Sequence, residues 1–475
     1  FNALREVTDG DDNVAVGHYA GTAITTGGGN VIIGKGGLLT ATTALRNVFI
    51  GVNAGEDIPA GQAVADCVAI GYEAFQGNGS TTTGANYTIA IGNSAAKQIT
   101  TGAGNIAIGA STMEELHTGS NNIAIGHQAM DRQESADASD NNIAIGSASM
   151  GGVWGGDSDQ NVAIGNNTMT GAMNGATYNI ALGHGAGAAI TSGDNNTLLG
   201  AGAGDAMTNA QGNVAIGKDA LGAANAGEDY NIAIGVSSML TVDSDAAHHN
   251  IGIGYWALKG GASVGEHNIA IGYNALSHGS MAVGNTIAIG QDALSSLTSG
   301  TTNMAIGYQA MRHITTGDHN IAIGYQVMCD TNAGVNSANS THNIFIGKDA
   351  ASGTWADTAS DNNVGLGSMV MAGALDGAGN NVGIGFSALN DLTSGDENVC
   401  VGAYAGDEIT THSQNTLMGY GAGHRVTANG NVLIGYLAGD NVTTGASNTG
   451  VGTNVAFDVD ANNQTCIGNE ATTSA

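Results

Sequence analysis

Short apolar triplets recur along the whole chain at nearly constant intervals. In Ile106-Ala107-Ile108 two large residues flank a small one, with Asn105 before them and Gly109 after. The same five residues recur at 122–126, 142–146, 268–272 and 320–324. Looser copies run from Asn13-Val14-Ala15-Val16-Gly17 to Thr465-Cys466-Ile467-Gly468. Alternation with a period of two is the signature of a β-strand, placing Ile106 and Ile108 on one face and Ala107 and Asn105 on the other.

Counted by its closing glycine, the motif occurs 26 times, at spacings of 16 to 23 residues, most often 17. A full repeat reads G-x-x-A-[LMG]-x-x-[IL]-T-[TS]-G-x-x-N-[IV]-A-[IV], clearest after Gly92, Gly290 and Gly307. Longer repeats insert residues ahead of the next motif asparagine, most of all at 334–341. This period is too short for a helix pair, but holds two short strands and two turns. Stacking such units pairs each backbone with the turn before and after it. The expected fold is therefore all-β: a parallel β-solenoid, or β-roll, of 26 short rungs of about 17 residues. One continuous array spans 13–468, with residues 1–12 as a lead-in from a preceding segment and 469–475 as a truncated or processed tail.

Both faces of the motif strand are apolar, and such strands are buried on both sides. The expectation is that the isoleucine and valine face fills the rung interior. The small face, with Ala107, Ala124, Ala144, Ala163, Ala270 and Ala322, then meets other copies of the chain. Three-fold packing closes an apolar stripe of this kind, which predicts a homotrimeric fibre. Asn105, Asn122, Asn142, Asn161, Asn268 and Asn320 recur at one place in the rung. They either stack as an amide ladder or favour the turn entering the strand.

Composition narrows the function. Of 475 residues 78 are glycine and one is proline, and the formal net charge is −30. So strong a polyanion repels phosphate backbones, which argues against nucleic-acid binding. No stretch approaches the roughly 18 apolar residues of a membrane-spanning helix, so membrane insertion is not expected. Cys67, Cys329, Cys400 and Cys466 are too few and too scattered for a disulfide framework and form no C-x-x-C pair. Cys400 and Cys466 occupy the motif alanine position as small fillers.

The run N-[IV]-A-[IL]-G-x-x-A, as at 122–129, resembles the head repeats of trimeric autotransporter adhesins and the related repeats of bacteriophage tail fibres and predatory-bacterium fibre proteins. The resemblance spans the chain. It implies a trimeric parallel β-roll, an extracellular location on a virion tail or cell surface, and attachment to a cell-surface glycan or protein receptor. The rungs here are about three residues longer than the adhesin repeat and carry loops of variable length. The expected role is a non-catalytic shaft and attachment fibre; the alternatives are a passive extracellular filament and a glycan-cleaving spike.

Candidate chemistry is sparse, and no cofactor motif is present. Glu114 with Glu115, Asp157 with Asp159, and Asp243 with Asp245 are the carboxylate pairs a glycosidase would need. The run from Asp157 to Asn161 begins like a calcium loop but lacks its glycine and terminal glutamate. His249 with His267, and His319 with His342, precede the motif asparagine in adjacent rungs, so their rings fall close together as candidate metal ligands. Tyr255, Tyr273, Tyr308 and Tyr325 follow the motif glycine along one edge, either shielding the sheet or offering faces for sugar rings. Trp154 and Trp355, eight residues after a motif glycine, either cap the core beneath a long loop or contact a ligand.

Overall fold

The computed structural model describes residues 1–133, 138–261, 263–278, 282–330, 339–356, 358–458 and 461–473. The chain is a parallel β-solenoid of 26 turns with a three-residue strand in each, from Val14–Val16 to Thr465–Ile467. It forms two compact units, Phe1–Ser237 and Ser238–Ala475, each with thirteen of these strands. Within a unit the motif pairs with itself: Ile106 lies beside Ile123, Ala107 beside Ala124 and Ile108 beside Ile125. No α-helix occurs among the described residues, and none is long and apolar enough to cross a membrane.

Stacking begins within the lead-in. The amides of Leu4, Glu6 and Thr8 donate to the carbonyls of Ala20, Thr22 and Thr25. At the other end the Glu470 amide donates to Thr453 O and the Thr473 amide to Ala456 O. The insertion at 334–341 lies largely outside the described residues.

The closing glycine is required by the stacking itself. Gly165 has φ +140°, and a Cβ there would come within 2.5 Å of the Gly183 carbonyl oxygen in the next turn. One such glycine above another lets the chain leave the strand at the same point in every rung.

The two faces of the motif strand are inverted relative to the sequence expectation. Ala107, Ala124, Ala144, Ala163, Ala270 and Ala322 are fully buried within the single chain. They are interior residues and cannot line a contact with another chain. Ile106 and Ile108 are half-buried and point outward, and Ile125, Leu199 and Val16 are more exposed still. The reason is space. The opposite wall is filled by the residue four places after the closing glycine, such as Met113, Met150 and Met169. The residue seven places after it, such as Ile99, Leu116 and Ile190, adds to that wall, and all of these are buried. A rung so narrow leaves room for little more than a methyl group on the strand.

Exceptions to alanine confirm the direction. Leu198, fully buried, sits where the wall residues are Gly187 and Gly204; a Cβ on either would come 2.8 or 2.9 Å from its methyl carbons. Phe49 fills the space beside Gly55 in the same way. Conversely, where the wall carries Val370 and Met371, the strand residue shrinks to Gly383, whose Cβ would lie 2.7 Å from a Val370 methyl. Strand and wall trade volume so that packing density is kept.

Candidate functional surfaces

The asparagine column is an amide ladder. The Asn142 amide N–H donates to Asn122 Oδ1 at 2.9 Å, and its Nδ2 donates to the same oxygen at 3.2 Å and to Ser158 O at 2.8 Å. Asn161 repeats this on Asn142, the Asn122 backbone N–H donates to Asn105 Oδ1, and Asn268 and Asn320 build on Asn250 and Asn303. Each side chain is fully buried, so every partner matters. Cys67 stands in this column, its amide bonded to Asn47 Oδ1 at 2.9 Å.

A second ladder, which the sequence reading missed, explains many of the acids. Two residues before the motif asparagine, an Asp Oδ1 accepts the backbone N–H at the same place one rung back. Asp159 caps Asp140 at 2.7 Å, Asp194 caps Thr177 at 2.6 Å and Asp361 caps Thr341 at 2.6 Å. Asp157 likewise accepts from the Ala138 amide at 2.9 Å. Asp157 Oδ1 and Asp159 Oδ1 are thus each engaged with a backbone N–H of the rung before. The signal was an Asp or Asn at a fixed offset, in the sequences D-x-N and N-x-N.

The tryptophans are core residues. Trp154 and Trp355 are buried, and each indole N–H donates at 3.1 Å to a carbonyl four residues earlier, Met150 O and Ala351 O. Trp355 packs edge-on against Phe345 with ring centres 6.3 Å apart. Of the two readings the sequence offers, the core position holds and the ligand contact does not, since both rings are buried and both N–H groups are engaged.

The tyrosines do form exposed stacks. Tyr255 and Tyr273 lie 5.5 Å apart and 12° from parallel, and Tyr308 and Tyr325 lie 5.2 Å apart at 14°. A third stack, Tyr420 on Tyr436 at 5.5 Å, borders an open cleft of about 430 Å³. Tyr404, Asp407, His424, Arg425 and Asp440 line it. There Asp407 Oδ2 lies 3.6 Å from His424 Nδ1, too far for a hydrogen bond. Burial pushes the Asp407 carboxyl above its ordinary range, against the opposing pull of His424.

The histidines are brought together as the spacing predicts. His249 stacks on His267 with ring centres 5.3 Å apart and planes 6° from parallel, and His319 on His342 at 4.8 Å and 2°. All four residues adopt left-handed backbone, with φ from +57° to +61°. Beside the first pair stands Glu266, whose Oε2 lies 3.8 Å from His267 Nδ1.

All four cysteines are buried and unpaired. Burial raises the thiols of Cys67 and Cys329 to about 11 and that of Cys400 higher still. None of these three has the lowered pKa of a nucleophile or metal ligand. Compared with known proteins, the chain matches no family model and no curated sequence.

Proposed function

We propose that this chain is a shaft segment of an extracellular attachment fibre, assembled from three copies and without catalytic activity. The observation that carries this is the outward face of the motif strands. Thirteen rungs in each unit present two residues apiece on it, mostly isoleucine and valine, while the interior behind is already full. The resulting stripe is on the order of a thousand Å² per unit, well beyond the few hundred Å² a monomer ordinarily exposes. Its repeat is one rung, so the partner that matches it at every step is another copy of the same chain. Three copies close the stripe about an axis and leave no apolar face over.

The resemblance to adhesin heads and tail fibres supports the same assembly and an exposed setting on a virion tail or cell surface. The acids at 157 and 159 serve backbone capping, which favours a structural role over glycan cleavage. Receptor contact then falls to the loops and to the exposed tyrosine stacks, whose faces suit the apolar side of a sugar ring. Sedimentation velocity on the purified chain at micromolar concentration tests the assembly: three times the chain mass is expected. A folded monomer would overturn it. A glycan array with the same protein separates an attachment fibre, which retains a defined sugar, from a passive filament, which retains none.

A further inference from the structure

We propose that His249, Glu266 and His267 form a binding site for one divalent transition-metal ion of the borderline class, Zn²⁺, Ni²⁺ or Cu²⁺. The three residues offer two imidazole nitrogens and a carboxylate oxygen, all within 4.8 Å of one another. Among the described residues no other group of three histidine, cysteine or acidic side chains meets that condition.

The fold creates the pairing. Ile251 and Ile269 are register partners in adjacent parallel strands, so the residues two places earlier, His249 and His267, are held one rung apart. The left-handed backbone at both, φ +57° and +61°, directs both side chains the same way. Glu266 is the residue before His267, and its Oε2 already approaches His267 Nδ1 at 3.8 Å. Two imidazoles and one carboxylate make the N,N,O set that zinc, nickel and copper prefer over calcium or magnesium, which take oxygen ligands. Three protein ligands leave a fourth position open for water.

The rings must move to bind. A metal lies in the plane of each imidazole, and the two planes are now nearly parallel. Metal–nitrogen bonds of about 2 Å require the donor atoms to close in by roughly 1 Å. All three side chains are exposed, so the His249 and His267 rings, now stacked on each other, can turn about their own bonds without disturbing the core. The net charge of −30 raises the local concentration of cations at the surface.

His319 and His342 supply an internal reference. They stack more closely, at 4.8 Å, yet belong to no three-ligand group among the described residues. Asp318, the residue before His319, has its Oδ1 engaged with the Thr301 amide at 2.6 Å, so this pair should bind the same ions more weakly. The left-handed position also fixes the choice of substitution. Asn121, Asn141 and Asn195 occupy the same place in other rungs at φ +57° to +60°, so His249→Asn and His267→Asn preserve the backbone where alanine would strain it.

Isothermal titration of the whole chain with ZnCl₂ and with NiCl₂ at pH 7.5 tests the site. One tighter site per chain is expected. His249→Asn or His267→Asn should each weaken it by about tenfold or more and Glu266→Gln by several-fold, while His319→Asn with His342→Asn leaves it unchanged. An unaltered far-UV spectrum shows that each variant folds. The proposal is overturned if the folded His249→Asn and His267→Asn variants bind as the parent does. It is equally overturned if removing the second histidine pair costs as much as removing the first.

Discussion

Leu198 fills the space that Gly204 leaves empty: a Cβ on that glycine would stand 2.9 Å from Leu198 Cδ2. Substituting Leu198→Ala should therefore open a cavity between Gly187 and Gly204 and cost about 2–5 kcal/mol. Gly204→Ala alone should be destabilising as well, since it overfills the rung and places a side chain at φ +57°. The pair together should cost less than the sum of the two, because the smaller strand residue makes room for the larger wall residue. Urea unfolding of the three variants measures the coupling, and strict additivity would refute the exchange of volume.

The buried amide ladder makes a second, sharper prediction. Asn142→Ala removes the acceptor of the Asn161 amide and the donor to Ser158 O. Each buried group left unpaired costs about 1–3 kcal/mol. Asn141, next to it, is exposed and left-handed at φ +60°, so Asn141→Gly should be nearly neutral. Hydrogen exchange of the amides in Ile143–Ile145 and Val162–Ile164 reads the difference: faster in Asn142→Ala, unchanged in Asn141→Gly.

Strand position, repeat number and the parallel register were legible because Ile106-Ala107-Ile108 and its copies carry them directly. Which face looks inward was not. Alternation sorts residues into two faces, but here both are apolar, and large side chains are ordinarily assigned to the interior. The deciding information lay between positions, in Leu198 with Gly187 and Gly204 and in Phe49 with Gly55, where a large strand residue accompanies a glycine wall. The histidine pairs followed from spacing alone, whereas Glu266 stands in the same column as Asp159, Asp194 and Asp361, and spacing does not distinguish it from the acids that cap the backbone. Trp154 and Trp355 shared an offset from the closing glycine, and that regularity itself signalled a core position.

One ion pair gives the stability a defined pH dependence. Lys97 Nζ lies 2.7 Å from Glu73 Oε2, and the hydrogen bonds from Lys97 and Tyr72 hold the Glu73 carboxyl below its usual range. A depressed carboxylate contributes stability above its unfolded value, lost as pH falls through the folded one. Lys97 is shifted up, chiefly by its hydrogen bond to Glu73, so its share is present below the unfolded value and lost as pH rises through the folded one. Lys97→Met should raise the Glu73 midpoint in an NMR titration and cost roughly 1 kcal/mol at neutral pH. An unmoved midpoint would show that the pair does not form in solution.

Ala124 and Ile125 are neighbours on opposite faces of one strand, and they separate folding from assembly. Ala124 is fully buried and Ile125 is 36% exposed. Ala124→Glu puts a carboxylate into an interior with no cation to meet it, at a cost of several kcal/mol, and should disorder the surrounding rungs. Ile125→Glu leaves the interior untouched. Combined with Ile33→Glu and Leu199→Glu, both also outward-facing, it breaks the apolar stripe of the first unit at three points. That triple variant should retain the β spectrum of the parent while its sedimenting mass falls toward that of a single chain. A triple variant that still assembles would move the contact away from the isoleucine face. A well-folded Ala124→Glu chain would contradict the burial of the alanine face itself, so the two outcomes test different steps of the same inference.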